Sequence, residues 1–60
     1  MLFETGNFII QNNGSRFAVI VDVNETYLSL LWNDKDRELL IRKDSATNLV
    51  INNKWKYVET

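Results

Sequence analysis

The chain contains no cysteine and no histidine. That removes the usual ligands of structural zinc, haem and iron–sulfur clusters, rules out a stabilising disulfide, and takes away the commonest general base at neutral pH. Net charge is nearly absent too: seven Lys/Arg face eight Asp/Glu, a balance of −1, whereas a dedicated nucleic-acid binder of this size is usually clearly basic. There is no long apolar run. The longest, Phe17 to Val23, includes Asp22 and falls far short of the roughly 20 residues a membrane-crossing helix needs. The N-terminus, Met1-Leu2-Phe3-Glu4, places no basic region ahead of an apolar stretch, so no secretory signal is read and the expected compartment is the cytoplasm. Metal chemistry, triad chemistry, a cofactor, a small-molecule substrate and a membrane partner are all set aside on these grounds.

What remains is 60 residues, enough for one domain spanning 1–60 and one core. A domain of this size buries only about 60% of the surface that its unfolded chain exposes. Packing must therefore carry the stability, and association with another copy would help. β-branched and aromatic residues come in short runs separated by Asn, Asp, Gly and Ser, which is the pattern of strands and tight turns. The runs predict strands at Asn7 to Gln11, Arg16 to Val23, Tyr27 to Asn33, Glu38 to Lys43 and Lys54 to Glu59. The tripeptides Asn13-Gly14-Ser15 and Asn24-Glu25-Thr26 read as turns rather than glycan acceptors. Asp44 to Asn48 combines a helix-capping residue with weak strand formers and reads as a single 3₁₀ turn before Leu49 to Ile51.

Alternation assigns faces to these strands. Phe17, Val19, Val21 and Val23 are expected on the core side of the second strand, with Ala18, Ile20 and Asp22 opposite. In the third, Leu28, Leu30 and Trp32 face the core; in the fourth, Leu39 and Ile41 do so.

Units of this order, ending in a short helical turn and a last short strand, are the layout of SH3-like small barrels. Four stretches stand out: Gly6-Asn7-Phe8-Ile9, Gly14-Ser15-Arg16-Phe17-Ala18-Val19-Ile20-Val21, Leu30-Leu31-Trp32-Asn33-Asp34 and Asp44-Ser45-Ala46-Thr47-Asn48-Leu49-Val50. In these the chain resembles a group of small bacteriophage proteins of that fold, found especially in phages of cyanobacteria. The resemblance implies a five-stranded antiparallel SH3-like barrel, with Ile51 to Thr60 extending beyond the usual pattern and host cytoplasm as the place of work. It implies no particular activity, since this fold serves peptide binders, ribosomal and transcription modules and purely structural parts alike.

Three sites are candidates. The first is a protein interface. A two-residue loop within Val23 to Thr26 and a four-residue loop at Asp34 to Arg37 set Ala18 opposite Leu31 and Leu31 opposite Leu40, with Ile20 one step along and Tyr27 near the hairpin end. Such an apolar row on a face that should be wet marks an interface with another protein or a second copy, unless strand curl or the Met1-Leu2-Phe3 segment covers it. The second is a nucleic-acid or peptide contact made by Arg16, Arg42, Lys43, Lys54, Trp55 and Lys56, since aromatics stack on bases and cations hold phosphates. Against it, Trp55 and Tyr57 point away from Lys54 and Lys56 on an alternating strand, so Trp55 also reads as a core plug and the lysines as edge guards. The third is the carboxylate group of Asp34, Asp36 and Glu38. No glycine-rich phosphate loop or nucleophile elbow accompanies it, and the interleaved Lys35 and Arg37 favour simple charge pairing, so no catalytic residue is assigned.

Overall fold

A computed structural model describes residues 2–60. Five strands and one helix follow in the order β1 (Phe8–Gln11), β2 (Phe17–Val23), β3 (Tyr27–Trp32), β4 (Leu39–Arg42), α1 (Lys43–Ile51) and β5 (Trp55–Val58). The strands form a single antiparallel sheet in the order β4-β3-β2-β1-β5. Four strands run as a meander, and α1 carries the chain back so that β5 pairs with β1. Among the described residues no ladder joins β4 to β5, so the sheet is open instead of closing into the expected five-stranded barrel, and both strands are edges.

Loop chemistry sets the hairpins. Asn24 Oδ1 accepts the backbone N–H groups of Thr26 (2.9 Å) and Tyr27 (2.7 Å), an Asx arrangement that holds the tight β2–β3 turn. Between β3 and β4 the pairing of Leu30 with Leu39 leaves a longer connection than a four-residue loop.

The core lies on one face, called inner here. Ile9, Ala18, Ile20, Leu28, Leu30 and Trp32 supply it from the first three strands, completed by Phe3 and by Ala46 of α1. Phe3 lies edge-on to Tyr57 with ring centres 5.2 Å apart. It thus sits within the core instead of crossing an exposed row, whereas Leu2 is exposed; the part of that expectation concerning Met1 lies outside the described residues.

Two further expectations, each about a single element, are corrected. The first concerns β2. The ladder pairs Ile20 with Leu30 but Asp22 with Ser29, a β-bulge that leaves Val21 as the extra residue. One extra residue reverses the side-chain parity of everything on one side of it. Val23 therefore faces the core as expected, while Phe17, Val19 and Val21 do not. Ala18 and Ile20 take their place, each 0% exposed.

The second concerns the 3₁₀ turn, which is a nine-residue α-helix that also takes in Leu49, Val50 and Ile51. Ala46 is buried and Val50 packs against the core, a spacing of four that aligns one helical stripe. Asp44 sits in the first turn and accepts its neighbour's Ser45 N–H at 2.8 Å. At the far end, Lys54 N–H bonds Leu49 C=O and Asn53 N–H bonds Val50 C=O. This is a Schellman closure with Asn53 at φ 63° in the left-handed position. A single turn would leave Ala46 and Val50 without this common stripe.

Candidate functional site

The other face of the sheet, called outer here, is the more informative one. Partners in an antiparallel ladder share a face. The registers therefore place Val58, Phe8, Val19 and Leu31 in one row across β5, β1, β2 and β3, with Lys56, Ile10 and Phe17 in the next. Phe17 is 45% and Ile10 38% exposed, while Phe8, Val19, Leu31 and Val58 are half-buried by their neighbours. Phe8, Ile10, Ser15, Phe17 and Val58 line an open recess of about 190 Å³. Farther along, Leu40 lies opposite Ser29 and Tyr27 opposite Arg42. Ser29 is itself buried and donates its hydroxyl to Glu38 Oε1 at 2.7 Å.

This geometry redraws the expected interface row. Tyr27, Leu31 and Leu40 do face outward, as the alternation of β3 and β4 required. Ala18 and Ile20 belong to the core and are removed from the surface by the bulge. Ala18 lies opposite Trp32 instead of Leu31, and Leu40 opposite Ser29 instead of Leu31. The slip between β3 and β4 is two residues, which preserves faces; that in β2 is one, which exchanges them. Phe8, Ile10, Phe17, Val19 and Val58 are the surface residues that the sequence reading did not assign. Their signal was present in the uninterrupted apolar runs Phe8-Ile9-Ile10 and Phe17 to Val21, which leave neither face of either strand polar.

The residues of the basic and aromatic candidate do not form one surface. The Arg16 guanidinium lies 4.4 Å above the Trp32 ring, and its Nε is 3.0 Å from Asp34 Oδ2. That N–H nevertheless has no well-directed hydrogen bond among the described residues, so the contact is an ion pair at the rim. Trp55 is half-buried and meets Trp32 edge to face at 5.5 Å, so it plugs the inner face. Arg42 binds Asp44 through Nε and Nη2 at 3.1 and 3.2 Å. The hydrogen bond to Asp44 raises the Arg42 guanidinium, and the reciprocal bond holds the Asp44 carboxyl below its ordinary value, both side chains being exposed. Lys43 begins α1 and Lys54 follows it, so these two are separated by the helix; Lys54 and Lys56 are exposed. Arg16 and Trp55 come together through Trp32, whereas Arg42 and Lys43 stand on the β4 side, away from Lys56 on β5.

The loop carboxylates also have partners of their own. Asp34 faces Arg16 and Glu38 accepts from Ser29, while Asp36 is exposed. Among the described residues no group of three or more acidic side chains is arranged to hold a metal ion, and no helix is long and apolar enough to cross a membrane. The chain matches no family model, no curated protein and no solved structure.

Proposed function

We propose that this protein is a small non-catalytic interaction module, an open variant of the SH3-like barrel, whose outer sheet face is covered by a second copy of itself. The observation that carries the reading is the apolar row of Val58, Phe8, Val19 and Leu31 with Ile10 and Phe17 beside it, continuous across four strands. An antiparallel sheet with one solvated face normally places polar residues there. Contiguous apolar surface of this kind marks an interface.

Two features favour a second copy as the occupant. The charged residues bordering the outer face include both signs, Lys56 and Arg42 as well as Asp22 and Glu38, so two such faces need not meet like charge with like charge. A stable interface takes about 800 Å² per partner. That is roughly a fifth of the 4191 Å² surface of this chain and comparable with one broad side of a body measuring 29 × 27 × 20 Å. The layout of a four-strand meander, a helical connection and a returning last strand supports the SH3-like reading, and with it the kinship to bacteriophage proteins acting in the host cytoplasm.

Light scattering on the eluting peak of a sizing column tests the proposal. Wild type is expected to run above the 7.1 kDa of one chain, and Phe17→Asp, which places a charge on the outer face, is expected to lower the mass. A Phe17→Asp variant with the mass of wild type contradicts the assigned face. A nucleic-acid accessory role would show itself differently, as retention of single-stranded DNA or RNA that weakens steeply between low and moderate salt.

A further inference from the structure

Edge β4 is a poorly guarded part of the fold. Exposed edge strands are usually guarded by lysine, proline, bulges or a covering segment. The edge at β5 follows that practice, with Lys56 on the strand and Lys54 just before it. β4 reads Leu39-Leu40-Ile41-Arg42, and its Leu39 and Leu40 are 49% and 70% exposed. Nothing in the inner core or in the outer apolar row explains why a leucine should stand so far in solvent at position 40.

The hydrogen-bond phase of the strand shows which backbone groups are free. Lys43 N–H donates to Thr26 C=O at 2.8 Å, and the register continues as Tyr27 with Arg42, Leu28 with Ile41, Ser29 with Leu40 and Leu30 with Leu39. Close pairs alternate with wide ones in an antiparallel ladder. The backbone groups of residues 39, 41 and 43 therefore point toward β3. Those of 38, 40 and 42 point away from the sheet, with no strand beyond them among the described residues.

We infer that β4 is a self-complementary edge that pairs antiparallel with β4 of a second copy, in the register that sets Leu40 opposite Leu40. Only residues 38, 40 and 42 offer free backbone groups, so only registers that oppose these with one another make a ladder. Centring on Leu40 sets Glu38 opposite Arg42 of the second copy at both ends of the ladder, and Leu39 opposite Ile41 on the inner side. A shift toward the C-terminus sets Glu38 against Asp44, a like charge. A shift the other way sets it against Leu40. Both charged groups have capacity for this contact. Ser29 engages only Oε1 of Glu38, and Asp44 engages only Nε and Nη2 of Arg42, leaving Oε2 and Nη1. Cross-strand pairs of opposite charge stabilise such a ladder, and like charges directly opposite oppose it.

The pairing rests on the self-association reading but uses a different surface from the outer face. Its two-fold axis stands perpendicular to the sheet, so the two sheets merge into one of ten strands with their outer faces on the same side. The exposure of Leu39 and Leu40 then has a purpose, since both are covered by the second copy.

The test is made in a Phe17→Asp background, so that face-to-face association is absent and the edge is read by itself. Sedimentation velocity and circular dichroism are recorded for Phe17→Asp alone, then with Glu38→Arg or with Arg42→Glu added, and finally for the two charge variants mixed. Phe17→Asp alone is expected to sediment at about twice 7.1 kDa. Each charge variant should be weakened by about tenfold or more, because like charges now meet at both ends. The mixture should recover the dimer as a heterodimer, because arginine then faces glutamate at both ends again. Leu40→Pro in the same background should abolish the dimer with an unchanged fold, because the N–H it removes points away from β3. A folded monomer for Phe17→Asp, or charge variants that associate as well apart as mixed, overturns the inference. Whether Phe17→Asp lowers the mass relative to wild type judges the outer face separately.

Discussion

Asn7 shows how far a single side chain reaches in a chain this short. It is buried, and its Nδ2 donates to the Tyr57 hydroxyl at 2.7 Å while its Oδ1 accepts from the Thr60 backbone N–H and hydroxyl at 3.1 and 3.2 Å. The same Tyr57 oxygen accepts the Glu4 backbone N–H at 3.1 Å. One polar knot thus ties the N-terminal segment, β5 and the C-terminus together. Removing one partner of a buried hydrogen bond leaves the other unsatisfied, a cost of about 1–3 kcal/mol. Tyr57→Phe is therefore expected to lose stability in that range by urea denaturation, while Tyr27→Phe, on the exposed outer side, should lie within about 0.5 kcal/mol of wild type. Equal losses for the two would contradict the role given to the knot. None of this was legible from the sequence, where Asn7 reads only as the start of a strand. Its partners lie some fifty residues away, and no local pattern announces a contact at that distance.

Among the elements, the strands were legible to within a residue or so, because β-branched runs bounded by Asn, Gly and Asp leave little choice. Face assignment on β3 and β4 was legible for the same reason: Leu28, Leu30 and Trp32 do lie inside, and Leu31 and Leu40 do lie outside, although Leu39, expected in the core, is on the inner face yet 49% exposed at the sheet edge. It failed on β2, where an apolar residue at every position from Phe17 to Val21 gives no polar marker of parity and a bulge then shifts the phase. Helix α1 was shortened in the reading because Leu49-Val50-Ile51 has strand composition. Its helical state comes from tertiary packing of Ala46 and Val50, which overrides local preference. The corrected faces make a direct prediction. Ile20→Ala, at a fully buried site, should cost about 2–5 kcal/mol, and Val19→Ala in the same strand clearly less in the isolated chain. The reverse order in thermal or urea unfolding would restore the uncorrected phase of β2.

At the scale of the whole molecule, the fold leaves more apolar surface uncovered than its inner core requires. The core has the Phe3 segment and α1 to close it, whereas the outer row of Val58, Phe8, Val19 and Leu31 has no covering element among the described residues. The sequence anticipated a surface apolar on the wrong side of strands two to four and named part of it through Tyr27, Leu31 and Leu40. The remainder depended on the pairing of β1 with both β2 and β5, which brings residues from distant parts of the chain into one row. An interface built from such residues is held by removal of apolar surface from water, which responds little to salt, whereas bridging by exposed charges is screened. The measurement that tests self-association most directly is sedimentation velocity of wild type over a dilution series at low and at high salt. Self-association through the outer face requires a species heavier than 7.1 kDa that dissociates on dilution and persists at high salt. A single species of one chain's mass at every concentration would contradict it.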